Sequence, residues 1–158
     1  MHTLGVRSCC SLLIAASGIF LVPWSGIPVR MRRMNVARPP RVRILVVDDN
    51  EDAARTLVIV LRMWGLDAHL ATNGAEALEL IQDFDPHAIV SDLCMPEIDG
   101  FELARRIRAL PDGHKHFLIA MTALGDDHHR QAASAAGFNH YLTKPADLSV
   151  LRTLLQQL

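Results

Sequence analysis

The stretch His87-Ala88-Ile89-Val90-Ser91-Asp92-Leu93-Cys94-Met95-Pro96-Glu97-Ile98-Asp99-Gly100 changes character at a single residue. Up to Ser91 it is a short apolar run of the length of a buried strand. From Asp92 onward it is a loop punctuated by Pro96 and Gly100. Residues 101–110 then carry Leu103, Ile107 and Leu110 at helical spacing. A strand therefore feeds a loop and then a helix, and a carboxylate stands where the strand gives way. Such a position is well placed for chemistry.

The same alternation extends in both directions. Upstream, Val42-Arg43-Ile44-Leu45-Val46-Val47 reads as a buried strand. Residues 51–64 place Ala54, Leu57, Val58 and Leu61 on one helical face, and Gly65 suits the position just past the helix end. Leu66 to Leu70 is a second strand. Asn73 with Glu76 three residues on forms a capping box for a helix whose Ala77, Leu80, Ile81 and Phe84 share a face, stopped by Pro86. Downstream, Phe117 to Met121 is a fourth strand, 127–136 an Ala-rich helix ending at Gly137, and Asn139 to Leu142 a fifth strand. Asp147 caps a last helix with Leu148, Leu151 and Leu155 toward the sheet. Five strands alternating with five helices predict an α/β fold, a parallel sheet covered on both faces. Right-handed crossovers prune the topologies, and strand order 2-1-3-4-5 is a common solution with its site at the carboxyl ends of the strands.

Asp48, Asp49, Asp92, Thr122 and Lys144 all fall at those ends. One sheet edge then gathers three carboxylates, a hydroxyl and an ammonium. Converging carboxylates repel one another, and a divalent cation removes the repulsion. Mg²⁺ suits an oxygen-only site and commonly bridges carboxylates to phosphate oxygens. Asp92 is a candidate nucleophile, because aspartyl phosphates are an established covalent solution. Lys144 and Thr122 supply a cation and a donor for phosphoryl oxygens. Singly, Asp48-Asp49 is an ordinary turn, Thr122 a strand-end residue and Lys144 a solvated lysine; their case rests on the set.

Residues 42–158 resemble a complete receiver domain of bacterial response regulators. The resemblance is carried by Val46-Val47-Asp48-Asp49-Asn50, by Asp92 in Asp-x-x-Met-Pro-x-x-Asp-Gly, by Met121-Thr122-Ala123 and by Tyr141-Leu142-Thr143-Lys144-Pro145. It implies a flavodoxin-like (βα)5 three-layer sandwich. It also implies that Asp92 is the phosphoacceptor, and that Asp49, Asp92 and the backbone carbonyl of Cys94 hold Mg²⁺, with Asp48 acting mainly through water. Thr122 and Tyr141 are implied to be the switch pair, and Lys144 the partner of Asp92 or its phosphate. Lys144-Pro145 is implied to be a cis peptide. The implied donor is a histidine kinase or histidine phosphotransfer protein. The implied output surface is helix 4, strand 5 and helix 5, which could also form a homodimer. Cys94 and Leu124 occupy the positions that tune phosphoryl lifetime in that family. Neither carries an amide or carboxylate to orient water, so slow self-hydrolysis is expected.

Charge is segregated along the 158 residues. Residues 1–43 hold seven Arg and no acid, whereas the remainder holds nine basic residues against seventeen acids, a balance of −8. Direct nucleic-acid binding by that acidic part is therefore not expected. Three cysteines make no disulfide framework, which suits a reducing, cytoplasmic compartment. Residues 1–40 form an N-terminal extension, uncharged from Cys9 to Val29 but interrupted by Gly and Pro. The leading expectation is a start at Met34 or Met31. The alternatives are a membrane anchor over 9–29, with the arginines placing the receiver inside, or a cleaved signal. The pairs His114/His116 and His128/His129 have metal-compatible spacing, but they lie in a polar loop and at a helix start without a matching second pair, so no metal role is expected of them.

The sequence runs one helix past Lys144, so a stand-alone receiver is expected, signalling by protein–protein binding to a downstream target and not turning over a substrate. Two alternatives remain at this point. One is an aspartyl-nucleophile phosphatase of the haloacid-dehalogenase type, but Asp48-Asp49-Asn50-Glu51 lacks the Asp-x-Asp of such enzymes. The other is a phosphorylation-independent interaction module, which usually loses the acceptor or the lysine; this chain keeps both.

Overall fold

The computed structural model describes residues 41–158 and, in the leading segment, only the backbone pairing of Ile14–Ala15 with Gly18–Ile19. The start site, anchor and signal expectations fall outside the described residues. Among the described residues no helix is long and apolar enough to cross a membrane.

Residues 41–158 alternate strand and helix throughout. The strands are β1 (Arg43–Val47), β2 (Asp67–Ala71), β3 (Ala88–Ser91), β4 (Phe117–Thr122) and β5 (His140–Thr143). The helices are α1 (Glu51–Met63), α2 (Gly74–Phe84), α3 (Gly100–Ala109), α4 (Asp127–Ala136) and α5 (Leu148–Leu155). All sheet neighbours are parallel, in the order β2-β1-β3-β4-β5. This is the predicted 2-1-3-4-5 topology. Strand alternation splits the core into two layers. Leu45, Val47, Ile89, Leu118 and Ala120 face α2, α3 and α4. Ile44, Val46, Val90, Ile119 and Met121 face α1 and α5. The central strands are buried on both faces, which is why they read as continuous apolar runs.

Helix ends follow their caps. Asn50, Asn73, Asp99, Asp126 and Asp147 each accept a first-turn N–H of the helix they open. The Glu76 carboxylate reaches back to the N–H of Thr72 at 2.7 Å and to its hydroxyl at 2.9 Å, one residue beyond the usual capping-box partner. Gly65 takes φ +85 just past α1, as expected. Helix α2 ends one step before Pro86: Asp85 adopts the left-handed conformation (φ 48) and turns the chain into the proline. The extra residue at that corner is held by Arg43 and Lys115, which pair with the Asp85 carboxylate at 3.0 and 2.8 Å.

Three expectations need correction. Leu148 does not face the sheet; it is exposed, and Leu154 takes the inward place beside Leu151 and Leu155, one helical turn from the predicted set. The fifth strand lies one residue later than predicted, because the register pairs Thr143 with Thr122 at the ladder's end. His116 is not a polar-loop residue. It is buried at the opening of β4, with Nδ1 2.6 Å from the Pro86 carbonyl.

Candidate functional site

The carboxyl edge of the sheet positions the chemistry through the ladder itself. Asp48 follows β1, and its N–H donates to the Ala71 carbonyl at 3.2 Å; Asp92 follows β3, and its N–H donates to the Val47 carbonyl at 2.8 Å. The Lys144 N–H donates to the Thr122 carbonyl, also at 2.8 Å. Each of these side chains is thus the first residue beyond its strand, fastened to the end of a neighbouring strand. The Lys144-Pro145 peptide is cis.

Asp48, Asp49 and Asp92 each bring a carboxylate oxygen within 4.8 Å of the others. Lys144 Nζ donates to Asp48 Oδ2 at 2.6 Å and to Asp92 Oδ2 at 2.7 Å. The remaining oxygens are also engaged: Asp48 Oδ1 accepts the Asn50 N–H at 2.9 Å, and Asp92 Oδ1 accepts the N–H groups of Leu93 at 2.6 Å and Cys94 at 3.3 Å. Asp48 is buried and Asp49 is exposed. Burial alone would lower the Lys144 ammonium, but hydrogen bonds and charge from Asp48 and Asp92 outweigh it and hold the group above its ordinary value. One ammonium against three carboxylates leaves the cluster negative. An oxygen-only donor set with excess negative charge, open on the Asp49 side, fits Mg²⁺.

The two switch candidates do not touch the acidic cluster. Thr122 is fully buried as the last residue of β4, and its hydroxyl accepts the Leu124 N–H at 3.4 Å. The Tyr141 hydroxyl donates to the Leu124 carbonyl at 2.5 Å. Both side chains therefore converge on the backbone of Leu124. Burial raises the Tyr141 phenol, with the charge of Asp126 adding to it, and the Arg130 guanidinium lies 5.3 Å from the ring centre. Cys94 is exposed on the loop after Asp92.

Sequence reasoning missed three parts of this arrangement. The Lys144–Asp48 contact spans 96 residues and has no local signal. The Leu124 backbone meets Thr122 and Tyr141 through groups that every residue carries. Gly100 lies against the loop after Asp92 so closely that a Cβ there would stand 2.2 Å from the Asp92 carbonyl oxygen and 2.7 Å from Leu93 Cα. Its place in the Asp-x-x-Met-Pro-x-x-Asp-Gly run was the available signal.

Comparison with known proteins agrees with this geometry. Residues 44–156 match the model of the response regulator receiver domain. An uncharacterized 14.6 kDa protein from the sodA1 3′ region of Leptolyngbya boryana is 47% identical over 114 residues, covering 72% of this chain and 87% of that protein. The response regulator MprA of Mycobacterium sp. (strain KMS) is 38% identical over 117 residues, covering 74% of this chain; the chain spans 50% of its length. Among solved structures, the receiver domain of the Saccharomyces cerevisiae response regulator Ssk1 was crystallised with the histidine phosphotransfer signaling protein Ypd1. It superposes with a TM-score of 0.69 at 29% identity, covering 75% of this chain and 88% of that one.

Proposed function

The chain belongs to the response regulator receiver domain family of two-component signalling, and from that membership and its acidic site we propose that Asp92 is its phosphoacceptor. The observation that carries the reading is the meeting of three carboxylates with Lys144 at the carboxyl edge of the sheet. Phosphoryl transfer depends mainly on positioning and charge neutralisation, and this edge offers both. An Asp92 carboxylate oxygen attacks the phosphorus of a phosphoimidazole. The P–N bond breaks, and the imidazole takes up a proton as it leaves. Water later attacks the same phosphorus and returns the carboxylate and inorganic phosphate. The chain thus catalyses only its own phosphorylation and dephosphorylation.

Asp49, Asp92 and the Cys94 carbonyl are the proposed Mg²⁺ ligands, with Asp48 acting through water; the ion supplies neutralising charge for the phosphoryl oxygens. Lys144 holds Asp92 in place before transfer and meets the phosphoryl group after it. Thr122 leaves the Leu124 N–H to donate to the phosphoryl group, and Tyr141 follows. The donor is a histidine kinase or a histidine phosphotransfer protein. The likeness to the Ssk1 receiver, solved with such a protein, supports that choice. Output passes through α4, β5 and α5 to a protein target or a second copy. The receiver works in the cytoplasm, where its kinase acts.

Intact mass after incubation with Mg²⁺ and acetyl phosphate tests the proposal. One phosphoryl adduct that requires Mg²⁺ and is absent from Asp92→Ala is expected. A folded wild type that takes no phosphoryl group from acetyl phosphate or from a kinase panel would leave a phosphorylation-independent interaction module.

A further inference from the structure

Away from the acidic edge, the described residues hold one other group of at least three metal-ligating side chains. Asp126, His128 and His129 each bring a donor atom within 4.8 Å of the other two. Asp126 is the N-cap of α4, and the two histidines lie in its first turn. The histidine pair was visible in the sequence, but the third donor lies two residues upstream, where it reads as a simple cap. Three features make the group more than a cap. Asp126 Oδ1 accepts the His129 N–H at 3.0 Å, so the carboxylate is held in place. Asp126 Oδ2 lies 2.6 Å from His129 Nδ1, so these two donors already face one another, and an ion would take the place of the proton between them. The His128 ring meets that of His129 edge-on at 5.6 Å, and His128 is exposed, so the group is open to ions from solvent.

We propose that Asp126, His128 and His129 form a surface site for a divalent cation of the zinc class, separate from the oxygen-only cluster of Asp48, Asp49 and Asp92. Two imidazoles and a carboxylate suit zinc, cobalt, nickel and copper rather than Mg²⁺. Donors about 2.0–2.1 Å from a tetrahedral zinc ion stand about 3.4 Å apart. Closing to that distance needs rotation of the exposed Asp126 and His128 side chains and of the half-buried His129. Water completes the coordination. The Asp126 carboxylate supplies charge against the positive end of the helix, which would otherwise oppose a cation. The site starts two residues after Leu124, whose carbonyl holds the Tyr141 hydroxyl, so a bound ion would brace the loop on which both switch candidates converge.

The test uses the full chain with Cys9, Cys10 and Cys94 alkylated, which removes thiols as competing ligands, in saturating Mg²⁺ to occupy the carboxylate cluster. Zn²⁺ is titrated calorimetrically, and Co²⁺ by its visible absorption. One zinc equivalent is expected. Affinity should fall at least about tenfold in His128→Ala, in His129→Ala and in Asp126→Asn, the last of which keeps the helix cap. Asp49→Asn and His114→Ala should bind as the wild type does. Absence of wild-type binding overturns the proposal. So does binding that survives in the His128→Ala/His129→Ala double variant, or binding lost in Asp49→Asn. Urea midpoints for each variant separate loss of the site from loss of the fold.

Discussion

Lys144 lies as close to Asp48 as to Asp92, at 2.6 and 2.7 Å, so one ammonium neutralises two carboxylates from two different strands. Removing it leaves both acids uncompensated beside Asp49. Lys144→Met is expected to cost about 1–3 kcal/mol at neutral pH, less than a fully buried pair because the lysine is partly solvated. A cation whose pKa is raised on folding gives its full stabilisation below the unfolded value of 10.5, and loses it as pH rises through the higher folded value. The gap between wild type and Lys144→Met should therefore narrow above that pH. Urea melts at neutral and alkaline pH measure it, and a gap independent of pH would refute the assignment.

Asp49 adds a third negative charge to this cluster and is exposed. Asp49→Asn should therefore stabilise the metal-free domain by about 1 kcal/mol, by relieving repulsion across a partly solvated gap. Millimolar Mg²⁺ is expected to raise the melting temperature of the wild type through linkage, and the same change should abolish that rise. Thermal melts with and without Mg²⁺ check both halves. Destabilisation by Asp49→Asn would show that repulsion is not what this carboxylate contributes.

Gly100 packs its Cα face onto the backbone of the acceptor loop. Gly100→Ala forces either that loop or the start of α3 to shift, at a cost of about 1–3 kcal/mol. Gly113→Ala creates an equally severe contact, 1.9 Å from the Ile107 carbonyl oxygen, but at the far end of α3. Acetyl phosphate labelling rates should fall in folded Gly100→Ala and stay near wild type in folded Gly113→Ala. Equal loss in both would mean that the rate follows general stability and not the placement of Asp92.

Cys94, two residues after Asp92, and Leu124, two residues after Thr122, carry no amide or carboxylate. The aspartyl phosphate is expected to outlast seconds at neutral pH. Cys94→Asn should shorten its lifetime at least about tenfold by orienting water for attack. Phosphate release after removal of the donor follows the decay. A wild-type lifetime of seconds would contradict the reading.

The fold was largely legible because β1, β3 and β4 are buried on both faces, so their apolar runs stand out from the amphipathic helices between them. Helix starts were legible where Asn73 and Asp147 announce a cap. The edge strand β5 was harder: its residues are exposed or half-buried, and only pairing with β4 fixes where it begins. Leu148 was misplaced because a short helix offers two nearly equal leucine faces. At the candidate site, strand topology predicted that Asp48, Asp92 and Lys144 would fall at one edge of the sheet. It could not predict which oxygen each would touch, nor that Thr122 and Tyr141 would both bind Leu124. His116 misled because it closes the polar run Asp112-Gly113-His114-Lys115, while its ring meets the distant Pro86 carbonyl.

Arg108 gives α4 unequal ends. From α3 its guanidinium donates to the carbonyls of Gly137, Gly113 and His116 and to the Asn139 side chain, and Asn139 in turn accepts the Leu118 N–H. The C-terminal end of α4 is thereby riveted to three other segments. Its N-terminal end is held by the Asp126 cap and by the His129 ring beside Phe101 of α3. A helix built in this way behaves as a cantilever. A load applied at Leu124 or Asp126 would deflect the tip more than the root, so a side chain of α3 would set part of the compliance of the loop that holds Thr122 and Tyr141.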